Sequence, residues 1–246
     1  NAALNIPVLV ALPSNDEGGP SDVVVFQHGI TSNRTAMLGI ANALTAQGLA
    51  VVAIDLPLHG ITDTGSGLYA GSAERHFNVD LVDNDGASGP DGEIDASGEH
   101  FINLQSLLTS RDNLRQGAAD LFTLTRAIGI VAANDLDLDG DGDTGGDFTS
   151  NIRFLGHSLG GIVGGPFLAT EPNVSAAALG MSGGHIAKLL AGSPTIGPEI
   201  AAGLEAQGLT KGTPIYEQFL GAAQTAIDKG DPINYTTRTA LGGIAR

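Results

Sequence analysis

The sequence predicts an α/β domain built on a mostly parallel sheet with helices on both faces. Three observations carry that expectation. Short β-branched apolar runs bounded by turn residues recur along the chain, amphipathic helical patterns stand between them, and three of the runs are almost unbroken in apolarity. Unbroken runs of that kind suit strands covered on both sides, as in parallel sheets.

The elements follow in order. VLVAL (8–12) is the first strand and VVVF (23–26) the second. In TAMLGIANALTAQG (35–48), Met37, Ile40, Ala41 and Leu44 recur at helical spacing, and Gly48 fits a C-terminal stop. AVVAID (50–55) then completes a βαβ unit. Residues 61–105, rich in glycine, serine and aspartate, break the rhythm and read as an insertion. A long helix is expected from about Ser106 to Ala133, with Leu107, Leu114, Ala118, Leu121, Ile128 and Val131 on one stripe. An acidic loop leads to the strand IRFLG (152–156), a helix from about Gly160, and a further strand, SAAALGM (175–181). Residues 185–230 carry helical patterns interrupted by SPTIGP and KGTP, which suits a cap or lid above the sheet. No internal repeat is present, and 246 residues fit one domain with a sizeable core.

Composition excludes several classes. With 27 acidic against 11 basic residues the formal charge is −16, and no basic patch offsets it, so neither nucleic acid nor an anionic lipid surface is an expected partner. Cysteine is absent, which removes disulfides, thiolate metal sites and cysteine nucleophiles. No run approaches the roughly 18 apolar residues of a membrane span. The start at Asn1, without an initiator Met or a basic leader, is expected of a processed or trimmed product.

The chemistry centres on GHSLG (156–160), a G-x-S-x-G pattern between an expected strand and an expected helix. Small flanking residues let the backbone fold sharply and hold the Ser158 hydroxyl above the sheet as a nucleophile. The Leu159 amide, at a helix N-terminus, would face a developing oxyanion. A second donor is expected from the loop QHGITSN (27–33) that follows VVVF; Ile30 is that donor, with Gly29 allowing close backbone approach. Without the serine pattern, His28 and Gly29 read equally well as a turn out of the strand.

With these residues the sequence resembles an α/β-hydrolase, and more narrowly the extracellular lipases of the Pla-1/cef type of marine and aquatic bacteria. The narrower likeness lies in QHGI (27–30), DLPLHG (55–60), DGEIDASGEHFINLQSLLTSRDNLRQGAADL (91–121), GHSLGG (156–161) and GDPINY (230–235), which together span most of the chain. The resemblance implies hydrolysis of a lipid or small-molecule carboxylic ester by a secreted or cell-surface enzyme, with Ser158 as nucleophile and no cofactor required. Related lipases continue past the DPINY region with strands bearing an acid and then a histidine.

In this fold the order is serine, acid, histidine, and only His185 of the six histidines follows Ser158. Three explanations stand: the acid and base lie in a C-terminal portion of the same protein beyond Arg246, His185 serves as an improvised base, or the serine is non-catalytic. His157 adjoins the nucleophile and should turn away. For His59, pocket lining and turn packing are both open; for His76 and His100, solvated and lid roles are both open.

DLDLDGDGDTGGD (135–147) places Asp135, Asp137, Asp139 and Gly140 at D-x-D-x-D-G spacing, with Asp141 and Asp143 nearby, as in a calcium loop. Gly146 stands where the bidentate glutamate belongs, so structural calcium and a solvated acidic loop both remain open. VDNDGASGPDGEID (82–95) is a second, less regular cluster of the same kind. A non-catalytic, calcium-stabilised surface module and a thioesterase or acyltransferase are the rival functional readings.

Overall fold

The computed structural model describes residues 4–14, 19–86, 89–138, 140, 142 and 147–236. Five strands, β1 (Val8–Ala11), β2 (Ser21–Gln27), β3 (Leu49–Ile54), β4 (Phe148–His157) and β5 (Val174–Gly180), form one sheet in the order β1-β3-β2-β4-β5. β2 to β5 run parallel, whereas β1 lies antiparallel on β3, with Val8 opposite Ile54 and Ala11 opposite Val51. The helices are α1 (Leu38–Thr45), α2 (Leu107–Ala133), α3 (Leu159–Leu168), α4 (Ile186–Ala191), α5 (Gly197–Glu205) and α6 (Pro214–Ile227).

Strand alternation divides the apolar side chains between two layers. Val23, Val25, Val52 and Ile54 pack with Leu114, Leu121 and Ile128 of α2 and with Val163 and Phe167 of α3. Phe26, Val51 and Ala53 turn the other way, onto Met37 and onto Ile40 and Leu44 of α1. Burying each such side chain stabilises by about 1.5–3 kcal/mol, so the two layers fix which face each helix covers. Asn33 starts the turn before α1 by accepting the Thr35 amide at 3.0 Å, and Gly48 leaves the helix at φ 74°. The expected elements are present, and their arrangement is that of an α/β-hydrolase fold with helices on both faces.

Among its described residues the 61–105 segment contains one short 3₁₀ turn, Gly71–Ala73, and it is held by buried charge. Arg34, 3% exposed, binds both Asp55 and Glu74 through its guanidinium, with Nη2–Oε1 at 2.6 Å to Glu74. Arg75 reaches the Asp55 carbonyl at 3.0 Å and the Asp120 carboxylate at 2.5 Å. These bonds tie the segment to the end of β3 and to α2. Glu74 also accepts the Ile61 and Ala70 amides. Burial pushes the Glu74 carboxyl up, but the Arg34 bond and these two amides outweigh it, leaving it below the usual range.

α4, α5 and α6 build a small apolar cluster from Ala191, Ile200, Leu204, Tyr216 and Leu220. A cavity of about 40 Å³ separates it from the start of α2, lined among others by Leu107, Leu114, Ile186, Leu190, Phe219 and Ile227. Among the described residues no helix is long and apolar enough to cross a membrane.

Candidate active site

Ser158 occupies the turn between β4 and α3 with φ 52° and ψ −116°, a conformation that costs a non-glycine residue on the order of 1–3 kcal/mol. Its surroundings hold it there. The Ser158 amide donates to the Gly180 carbonyl of β5 at 2.8 Å, and its carbonyl accepts the Gly161 and Ile162 amides at 2.9 and 3.1 Å. Two glycines make the turn sterically feasible. A Cβ on Gly156 would lie 2.7 Å from the Gly160 oxygen, and one on Gly160 would overlap the Gln27 carbonyl at the end of β2. Ser158 is half-buried, and His157 is exposed, with its Nδ1 3.3 Å from where a Cβ on Gly29 would lie.

The loop after β2 closes on this serine. A Cβ added to Gly29 would lie 3.2 Å from Ser158 Cβ, so Gly29 permits the approach. Ile30 is half-buried and the amides of Ile30 and Leu159 make no hydrogen bond among the described residues. The Leu159 amide opens the ten-residue helix α3, whose N-terminus favours negative charge. The amides of Leu159, next to Ser158, and of Ile30, next to Gly29, are therefore uncommitted where the loop and the serine turn meet.

Behind the loop lies a pair of buried histidines. His28 donates from Nδ1 to the Gly29 carbonyl at 2.8 Å and accepts the Leu56 amide on Nε2 at 3.1 Å. His59 donates from Nδ1 to the Pro57 carbonyl at 2.8 Å, and its Nε2 has no hydrogen-bond partner among the described residues. The rings lie 4.9 Å apart between centroids, and Phe101 packs on His59 at 5.3 Å. Burial pulls both imidazoles down from 6.5 to about 4; the neighbouring Arg34 and Arg75 charges add to this for His28, and the His28 charge adds to it for His59. His59 is thus a core residue, walled in by Gly98, on which any Cβ would overlap its Nε2. Turn packing describes it; pocket lining does not.

The other histidines are placed as follows. His185 is exposed, sits at φ 57° before α4, and its ring makes no hydrogen bond to Ser158. Its backbone is held by Asp231, which is fully buried and accepts the His185, Ile186 and Ile233 amides and the Gln224 side chain. The solvated reading of His76 is overturned: it is buried, with Nδ1 accepting the Asn78 amide at 3.0 Å and Nε2 facing the Ile61 carbonyl at 3.1 Å. His100 is half-buried against the Asp95 carboxylate at 2.6 Å. Burial raises the Asp95 carboxyl, but the His100 bond and the Leu81 and Val82 amides carry it below its ordinary value.

Of the candidate calcium ligands, Asp135 and Asp137 are exposed, and Asp137 accepts the Gly140 and Gly142 amides at 2.5 and 3.1 Å. Asp139, Asp141 and Asp143 lie outside the described residues. Among the described residues no three His, Cys, Asp or Glu side chains gather as a metal site. In the 82–95 cluster, Asp83, Asp91 and Asp95 accept backbone amides, as does the preceding Asp80.

Sequence reasoning missed the Arg34–Asp55–Glu74 and Arg75–Asp120 pairs and the role of Asp231. The only local signal was charge scarcity: an isolated arginine beside an apolar helix, and an aspartate closing a buried strand, each need a partner.

No family model matches this chain, and no curated protein matches it. Among solved structures, a thermostable carboxyl esterase from Bacillus coagulans in complex with glycerol is similar at 19% identity, over 87% of this chain and 51% of that one, with a TM-score of 0.42. An epoxide hydrolase from Vigna radiata is similar at 17% identity, over 70% of this chain and 34% of that one, with a TM-score of 0.37. The chain thus spans between a third and about half of the length of these two proteins.

Proposed function

We propose that this chain carries the nucleophile and the oxyanion donors of a serine ester hydrolase, lipase- or esterase-like and secreted or surface-attached. The observation that supports it is Ser158, held at φ 52° on a strand-to-helix turn beside two uncommitted amides, those of Ile30 and Leu159. In this reading Ser158 Oγ attacks the ester carbonyl carbon as a base takes its proton. The Ile30 and Leu159 amides hold the oxyanion, the alcohol leaves with the proton, and water releases the acyl group. Each donor is worth about 3 kcal/mol of transition-state stabilisation. No cofactor enters these steps.

The base and its acid come, in this reading, from a portion of the same protein outside residues 1–246. Among the described residues β5 pairs with β4 alone, and Ala178, Leu179, Gly180 and Met181 are exposed, Met181 to 83%. A parallel strand is ordinarily covered on both faces, so this edge is where an added strand would bring such groups beside Ser158.

The test uses the natural protein and its Ser158→Ala variant. A fluorophosphonate reagent should label the first at Ser158, read by peptide mass, and hydrolysis of p-nitrophenyl butyrate should fall about 10³-fold or more in the variant. Equal rates and equal labelling would remove the enzyme reading in favour of a non-catalytic module of the same fold. Thiol esters assayed in parallel separate thioesterase from ester chemistry.

A further inference from the structure

We infer that His28 is a positioning residue that aims the Ile30 amide at the oxyanion; the inference rests on the serine-hydrolase reading of Ser158. The Leu56 amide donates to His28 Nε2 at 3.1 Å, so Nε2 is an acceptor and the ring proton resides on Nδ1. That proton is donated to the Gly29 carbonyl oxygen at 2.8 Å. The same oxygen also receives the Ser32 amide, at the longer distance of 3.3 Å.

The Gly29–Ile30 peptide is trans, like every peptide among the described residues, and planar. Its N–H therefore points opposite to its C=O. Fixing the Gly29 oxygen toward His28 fixes the Ile30 N–H on the other side, where it makes no bond of its own. This peptide would otherwise turn readily. The residue before it is glycine, with the widest choice of ψ, and Thr31 after Ile30 has φ 62°. An oxyanion donor is effective when it needs no reorganisation at the moment of reaction, and the imidazole supplies that constraint.

The imidazole is itself fixed. It is fully buried, His59 packs on it at 4.9 Å, and Asp55 Oδ1 stands 3.8 Å from Nε2. Burial, with the Arg34 and Arg75 charges adding to it, keeps the ring neutral and both of its bonds in the stated sense. The hydrogen bond from Leu56, the first residue after β3 and Asp55, thus links the oxyanion loop to the neighbouring strand.

The experiment compares the natural protein with His28→Asn, His28→Gln and His28→Leu. Asparagine places an N–H donor near the position of Nδ1; glutamine extends past it, and leucine has no donor. The expected result with p-nitrophenyl butyrate is a kcat about 10- to 100-fold lower in the Gln and Leu variants, with KM within about threefold, because the interaction is made in the transition state. The Asn variant should recover most of kcat. A second readout is the ¹H–¹⁵N signal of Ile30 in the phosphonylated protein. It should move downfield on labelling in the natural protein and the Asn variant, and much less in the Gln variant.

Unchanged kcat and an unchanged Ile30 shift in the Gln variant would overturn the inference, as would equal losses in all three variants without Asn recovery. If the Leu variant fails to fold, the Asn and Gln pair decides. Failure of the natural protein to label at Ser158 is a separate result, which removes the hydrolase reading and this inference with it.

Discussion

Acidification from pH 7.5 toward 4.5 should destabilise this protein through its buried histidine pair. Burial lowers His28 and His59 from 6.5 to about 4. Between those values the unfolded chain binds protons that the folded chain refuses, so stability rises with pH across this window. The contribution is complete above about pH 6.5 and is lost as pH falls through the window toward 4. A drop from 6.5 to about 4, at 1.36 kcal/mol per pH unit, amounts to about 3 kcal/mol for each histidine. In a domain of this size each kcal/mol moves Tm by about 2–4 °C, so one histidine accounts for roughly 6–12 °C. Easing of the −16 charge on acidification works in the opposite direction, so the absolute profile is not the test. The assay is urea unfolding at half-unit steps from pH 7.5 to 4.5 for the natural protein and for His59→Gln. The natural protein's slope of ΔG against pH should exceed the variant's by up to about 1.4 kcal/mol per pH unit between about 4 and 6.5. Parallel slopes would refute the reasoning, whatever the offset between the curves.

Three further outcomes follow from packing and charge. Gly160→Ala should lower Tm by about 6 °C or more and abolish Ser158 labelling, because its methyl would overlap backbone atoms of Gln27 and His28 that have nowhere to move; Gly129→Ala in α2 meets nothing within 4 Å and should stabilise by up to about 1 kcal/mol, as differential scanning calorimetry will show. Glu74→Gln leaves the buried Arg34 and its bonds to the 61–105 segment short of charge, so a loss of about 3–5 kcal/mol is expected, with limited proteolysis newly cutting within residues 62–72.

What could be read from the sequence lies within a few residues of itself. The apolar runs at 23–26, 50–55 and 152–156 are strands β2, β3 and β4; the stripe through Leu114, Leu121 and Ile128 is the buried face of α2; Gly48 ends the turn after α1 at φ 74°. The GHSLG pattern likewise marked the strained turn at Ser158, because the small residues that permit such a turn are its immediate neighbours. Periodicity and turn chemistry are local, and a sequence displays them directly. What only the tertiary structure decided involves partners far apart in the chain. Arg34 meets Asp55 and Glu74 across 21 and 40 residues, and Arg75 meets Asp120 across 45. β1 takes the antiparallel edge of the sheet, and His28 finds the Leu56 amide that settles its tautomer. Each of these is a bond between groups that only chain folding brings within 4 Å, and nothing in the residues beside them specifies the mate. The order of β2 to β5, by contrast, joins both levels: local apolar runs supply the strands, and burial on both faces selects their pairing.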